Sequence, residues 1–209
     1  MVVLLLTVAL TLPLRWLDPP TTMFMLLERW QTGQWPQHQW VPAEQLPDGL
    51  RLAVIAAEDQ NFPHHRGFDT AQIRAALEGH RQGGSLRGAS TLSQQLARNL
   101  YLWPQRSWLR KGLEAWLTVP LELFLPKDRL LLIYLNVAEL GPGVYGAEAA
   151  AQHHFGKPAS SLSRQESALL AASLPAPKRR DPANPDQAML ERQGWILRQM
   201  DNLGTGWLP

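Results

Sequence analysis

The chain contains no cysteine. That excludes disulfides, a thiol nucleophile and thiolate metal sites, and it leaves the compartment open. Neither sign of charge dominates: 20 Lys and Arg against 18 Asp and Glu give a net charge of +2. So small an excess argues against a nucleic-acid binder. His65 and the His153–His154 pair lack the H-E-x-x-H arrangement, so a zinc site is not expected. Strand-like alternation, internal repeats and low-complexity tracts are all missing. Long apolar runs are scarce as well. Met1 to Leu14 is uncharged and mostly Val and Leu, but a spanning helix needs roughly 20 apolar residues. No basic flank precedes it, and no small-x-small cleavage site stands before Arg15. The expectation for residues 1–17 is a membrane anchor whose upstream end is missing; the alternative is a buried N-terminal core helix.

What is present points to one helical domain. The 209 residues are 45% apolar, enough for a core, and include nine Trp, which suit cores and membrane interfaces alike. Residues 18–49 carry scattered Pro, Gln and Trp without a sustained period and read as a linker and pre-domain segment. From about Leu50 the pattern is helical, so the domain is placed at 50–209 and the class is all-α. Asp69-Thr70-Ala71-Gln72 reads as an N-terminal cap, and Ser163-Arg164-Gln165-Glu166 as a capping box opening a helix to about Ser173. Further helices are expected over Ser90–Leu100, Trp108–Leu125 with a kink at Pro120, Leu130–Val137, Ala147–Phe155 and Gln187–Leu203. Gly83 to Gly88 reads as a flexible loop.

Candidate chemistry begins at Glu58-Asp59, where the apolar run Leu52–Ala57 meets a segment broken by Phe62, Pro63 and Gly67. Two readings stand: a solvated helix end, or a part-buried carboxylate whose raised pKa suits a general base or acid. On the following helix Thr91, Gln94, Gln95 and Arg98 share one face at spacings of three and four. That face is either ordinary solvated surface or a hydrogen-bonding wall for a polar ligand. Arg106, Arg110 and Lys111 follow, with Glu114 placed to touch the last two. They form a surface ion-pair ladder or an anion site suited to phosphate oxygens. Between them, Leu100 to Gln105 is broken by Pro104 and reads as a core cap or as an apolar lip touching lipid. The polar atoms of Tyr134, Asn136 and Tyr145 are expected to fix turns.

Taken together, these segments resemble the peptidoglycan glycosyltransferases of glycosyltransferase family 51, in their single-domain form, over roughly residues 41–200. The first motif of that family, E-D-x-x-F-x-x-H-x-G, is met by Glu58, Asp59, Phe62, His65 and Gly67. The second, G-x-S-T-x-x-Q-Q-L, is met by Gly88, Ser90, Thr91, Gln94, Gln95 and Leu96. The third, R-K-x-x-E, is met by Arg110, Lys111 and Glu114, and the fourth by Lys127-Asp128 and Tyr134-Leu135-Asn136. One position departs: Arg98 stands where the family usually has Lys, which keeps the charge but replaces a point donor with a fork. The anchor is also shorter than is usual in such proteins.

The resemblance implies a lysozyme-like helical domain on the outer face of the cytoplasmic (inner) membrane, held by a single-pass anchor. It implies polymerisation of lipid II onto a growing glycan strand carried on undecaprenyl diphosphate, with inversion to a β-1,4 bond. Glu58 would be the catalytic base. Arg98, Arg106 and Lys111 would balance the departing diphosphate, Arg110 would belong to the substrate site beside them, and Glu114, the second catalytic candidate, would position cations or a divalent metal. Asp59, Phe62, His65, Ser90, Thr91, Gln94, Gln95 and Asn99 complete the implied substrate site. No tightly bound cofactor is implied, although Mg or Mn could accompany the diphosphate. Membrane lipid and proteins of a wall-synthesis complex are the implied partners, and no nucleic acid. No transpeptidase activity is expected, so crosslinking would fall to another protein. The competing readings are a lysozyme-like hydrolase or lytic transglycosylase, which has no evident need for the cations, and a membrane-tethered glycan-binding module.

Overall fold

The computed structural model describes residues 1–81 and 90–208; the Gly83–Gly88 segment lies outside them. Ten helices run through the described chain: α1 Val2–Thr11, α2 Met23–Thr32, α3 Asp48–Glu58, α4 Thr70–Arg81, α5 Leu92–Tyr101, α6 Trp108–Phe124, α7 Lys127–Val137, α8 Ala147–Phe155, α9 Arg164–Ser173 and α10 Gln187–Leu203. Three very short strands join them, β1 Gln37–His38, β2 Glu139–Gly141 and β3 Val144–Tyr145.

α3 is the central helix. Leu50, Leu52, Ala53, Val54, Ile55 and Ala56 are all buried. A helix apolar nearly all round must be covered on most sides, and α9 and α10 provide that cover. α5 packs on α6 and α7, burying Leu92, Leu96 and Leu100. The capping expectations hold: the Asp69 carboxylate accepts from Gln72 N at 2.9 Å, and Ser163 and Glu166 form a reciprocal capping box on α9. α6 continues as one helix through Pro120.

Two sequence expectations need correction. The chain is not purely helical, because β3 lies between β1 (parallel) and β2 (antiparallel) in a small sheet. Strands of two and three residues are too short to display a period of two. Residues 18–49 are more than a linker: they contain α2, capped by Thr22 and ended by Gly33. They also contribute Met25, Val41 and Leu46 to the core. Only Met25 of α2 is buried, so the helix carries little periodic signal. The anchor expected over residues 1–17 falls on α1, a helix of ten residues. No helix among the described residues is long and apolar enough to cross a membrane.

α1 is neither a core helix nor a conventional amphipath. Its inward residues are Thr7 and Thr11, whose hydroxyls donate to carbonyls one turn back, at 2.8 Å each. Trp116 of α6 donates to the Thr7 hydroxyl at 3.2 Å, and Tyr101 donates to Leu10 O at 2.8 Å. Val2, Val3, Leu4, Leu5, Leu6 and Leu10 face outward, each more than half exposed. The neighbouring face of α6 adds exposed Leu109, Trp116, Val119 and Leu123. The segment after α5 divides at about Pro104. Leu100 and Leu102 are buried and cap the core, whereas Trp108 is 93% exposed.

Asn136 ties the sheet region to α7. Its side chain accepts from Val41 N (2.9 Å) and donates to Val41 O and Leu132 O (3.0 Å each). Its carbonyl bonds the His38 ring at 3.0 Å. Gly146, with φ +84°, lies so close that an added Cβ would sit 2.4 Å from Asn136 O. Asn136→Ala strands the backbone groups of Val41 inside the protein and is expected to cost about 2–4 kcal/mol. Urea unfolding of the variant checks this.

Candidate active site

Glu58 ends α3 and Asp59 is its C-cap, with φ −158° and ψ 74°. This turn sends the two acids to different surroundings. Asp59 is 2% exposed. Its carboxylate oxygens meet His65 Nε2 at 2.9 and 3.0 Å, and one accepts from Leu92 N at 2.9 Å. The loop is pinned a second time where Thr91 donates to Gly67 O at 2.7 Å. Gly67 has φ +87°, and an added Cβ would lie 2.8 Å from Thr118 on α6. Only a residue without Cβ lets the loop approach α6 this closely.

Glu58 is half-buried and accepts from Gln95 Nε2 at 2.9 Å. An ionised carboxylate can only accept, so the amide must turn its nitrogen to Glu58 and its oxygen away. That oxygen accepts from the Tyr134 hydroxyl at 2.9 Å. Burial pushes the Tyr134 phenol far above its ordinary value, so it stays a donor. Burial also raises the Glu58 pKa, and the Gln95 hydrogen bond and the charges of Arg192, Arg98 and Arg180 only partly oppose it. A raised value makes the Glu58 carboxylate a stronger proton acceptor than an ordinary glutamate.

A second cluster sits at the start of α6. Glu114 is 1% exposed. It accepts from Arg110 Nη1 at 2.8 Å and from Lys111 Nζ, and Lys111 donates onward to Ser90 Oγ at 2.9 Å. Arg106, Ser107, Trp108, Arg110 and Lys111 line an open cavity of about 310 Å³. Both Glu114 oxygens face cations, and no group of three or more His, Cys, Asp or Glu among the described residues could hold a metal ion. The residues therefore do not fit a resident divalent cation at Glu114, a role the sequence left open.

The structure sorts the sequence candidates by position. Glu58, Gln95 and Arg98 come together, and Ser90, Arg106, Arg110, Lys111 and Glu114 form the second group. α5 and the residues just before it link the two. The Arg98 Nε is buried without a hydrogen-bond partner among the described residues. Asp59, Phe62, His65, Thr91 and Gln94 are buried, and their contacts are internal. Thr91 and Gln94 close a capping box on α5, and Phe62 lies under the Lys127 ammonium at 4.4 Å. The helical face expected to carry Thr91, Gln94, Gln95 and Arg98 thus splits: the first two serve the helix end, the last two face Glu58. Asn99 is buried on α5.

Three neighbours of Glu58 escaped the sequence reading as site residues. Tyr134 matches the fourth family motif and reads as turn-fixing, with no role beside Glu58. Arg180 follows α9 and Arg192 belongs to α10, far from Glu58 in sequence. Arg192 also donates to Ala57 O at 2.8 Å. The Lys178-Arg179-Arg180 run was the one local signal, and nothing in its spacing points to Glu58.

The chain matches the family model described as Transglycosylase over residues 25–201. It is 56% identical over 200 residues to a biosynthetic peptidoglycan transglycosylase of Ectopseudomonas mendocina (strain ymp), covering 93% of this chain and 83% of that protein. Proteins of the same description from Stutzerimonas stutzeri (strain A1501) and Pseudomonas entomophila (strain L48) are 53% and 52% identical over 204 residues, covering 95% of this chain and 84% and 86% of theirs.

The two carboxylates predict opposite stability effects. Burial raises the Glu58 value in the folded state, so its ionised form costs stability at neutral pH, and that cost fades as pH falls through the raised value. Glu58→Gln is expected to unfold at an equal or higher urea midpoint. Glu114→Gln leaves buried Arg110 without its counter-charge and is expected to lose about 3 kcal/mol in the same measurement.

Proposed function

The chain belongs to the transglycosylase family, and from that premise we propose that it lengthens glycan strands by adding lipid II to a chain carried on undecaprenyl diphosphate. It is a glycosyltransferase of peptidoglycan synthesis and serves cell-wall biosynthesis. In the proposed step the Glu58 carboxylate takes the proton from the acceptor sugar's 4-hydroxyl. The freed oxygen bonds to the donor's anomeric carbon from the face opposite the diphosphate. The carbon–oxygen bond to the diphosphate breaks, and its electron pair leaves with undecaprenyl diphosphate. One displacement converts the α linkage to a β-1,4 bond.

The observation that carries this reading is the pairing of a burial-raised carboxylate with cations around an open cavity. Glu58 has the protonation behaviour a base needs, and Gln95, fixed by Tyr134, aims a donor at it. Arg106, Arg110 and Lys111 offer charge to a departing diphosphate, where preorganised cations are worth most. Glu114 orients two of them. The open Nε of Arg98 is a further donor for substrate oxygens. A glycan-cleaving enzyme has no leaving group that needs this charge. The domain is read as lysozyme-like, with catalysis on the outer side of the inner membrane. The outward leucines and valines of α1 and the exposed stripe of α6 would lie in the bilayer surface, where the substrate's polyprenyl chain resides.

Two measurements test the mechanism. Glu58→Gln should reduce polymerisation of lipid II by at least about 10²–10⁴-fold. Near-normal elongation, or shortening of finished peptidoglycan by the wild type, contradicts the reading. Tyr134→Phe should leave Gln95 free to turn its oxygen toward Glu58. Loss of that donor raises the Glu58 value further, so the acidic limb of the kcat/KM profile moves to higher pH and activity at neutral pH falls. An unmoved limb in that variant removes Tyr134 from the mechanism.

A further inference from the structure

A groove of about 800 Å³ lies between the loop after α3 and the turn joining α6 to α7. It is separate from the cavity at Arg106. Its basic lining comes from His64, His65 (engaged by the Asp59 carboxylate), Arg66 and Lys127, its acid is Glu122, and Val119 and Leu123 form an apolar wall. Glu122 is already neutralised: its carboxylate pairs with Lys127 at 2.7 Å and accepts from Ser93. Arg66 is exposed and forms no ion pair among the described residues. The lining therefore carries one uncompensated fixed positive charge. Val119 and Leu123 are 56% and 72% exposed, and they continue the exposed stripe of α6 into the groove. A ligand seated here meets a cation at one end and a hydrocarbon-like surface at the other.

We propose that this groove binds the headgroup of an anionic phospholipid, with the phosphodiester on Arg66 and the first part of an acyl chain along Val119 and Leu123. A singly charged phosphodiester balances the lining, and a lipid is the one common phosphate ester that also supplies apolar surface. The site differs from the proposed substrate site, since its lining shares no residue with the Glu58 group or with the cavity at Arg106. It rests on the reading that α1 and α6 meet the bilayer.

Binding of the full chain to vesicles, with no lipid II present, tests the proposal. Pure phosphatidylcholine vesicles report the apolar face alone, and vesicles containing phosphatidylglycerol add the anionic headgroup. The wild type is expected to bind the second kind about fivefold more tightly, the effect of one basic residue at such a surface. Arg66→Glu should abolish that gain and keep phosphatidylcholine binding. Val119→Trp, which fills the groove without changing charge, should also abolish it, with circular dichroism verifying the fold. Arg198→Glu, at an exposed position of α10, should keep the gain. Equal loss in Arg198→Glu, or retention of the gain in Val119→Trp, overturns the site in favour of diffuse attraction. Loss of the gain in excess glycerol phosphate overturns the lipid assignment in favour of a free phosphate ester. Binding to phosphatidylcholine with no gain from phosphatidylglycerol overturns the site and leaves the membrane face standing. No binding to either vesicle overturns both.

Discussion

The Asp59 carboxylate holds the site in place. It joins the loop after α3 to the first turn of α5 by accepting from Leu92 N and engaging His65 with both oxygens. Without this tie, Glu58 would be an acid at a frayed helix end, free to turn to water. With it, Glu58 stays against α5, opposite Gln95. The adjacent acids thus divide the work: one is a buried structural acceptor, the other keeps a single polar contact and an unfavourable charge. Burial is tolerated at Glu58 because α3 is packed on α9 and α10 and cannot easily withdraw.

α5 carries this arrangement to the second cluster. Its capping box fixes the helix start, Gln95 and Arg98 serve Glu58, and Ser90, just upstream, accepts from Lys111. The cations near Glu114 are held by short-range pairing, whereas those near Glu58 act through space. That difference suits a reaction in which negative charge appears on the leaving group while a proton goes to the base. On the proposed mechanism, stability and function pull apart at Glu58 and coincide at Glu114.

Much of the fold was legible. Caps written in adjacent residues, such as Asp69 and Ser163 with Glu166, were read correctly because each is a local hydrogen bond. The strands were missed because they are too short to show a period, and α2 because only Met25 of it faces the core. At the site, sequence spacing located Glu58, Gln95 and Arg98 but assigned Thr91 and Gln94 outward. Their polar groups instead close the helix end, a competition that spacing alone cannot settle. Arg180 and Arg192 reach Glu58 only through the packing of α9 and α10 on α3, a long-range consequence of the core. The inward Thr7 and Thr11 of α1 show a similar limit. Its run of Val and Leu reads as a membrane anchor or, alternatively, a buried core helix, and the spacing does not tell that the apolar side faces out and the two hydroxyls face in.

The central claim is that Glu58 is the proton acceptor and that burial sets its readiness. Site-specific ¹³C NMR titration of the Glu58 carboxyl, compared with the acidic limb of kcat/KM for lipid II polymerisation, addresses it directly. The account predicts that Glu58 titrates above the ordinary glutamate range and that the kinetic limb coincides with it. An ordinary glutamate titration, or a limb that does not follow Glu58, would contradict the account.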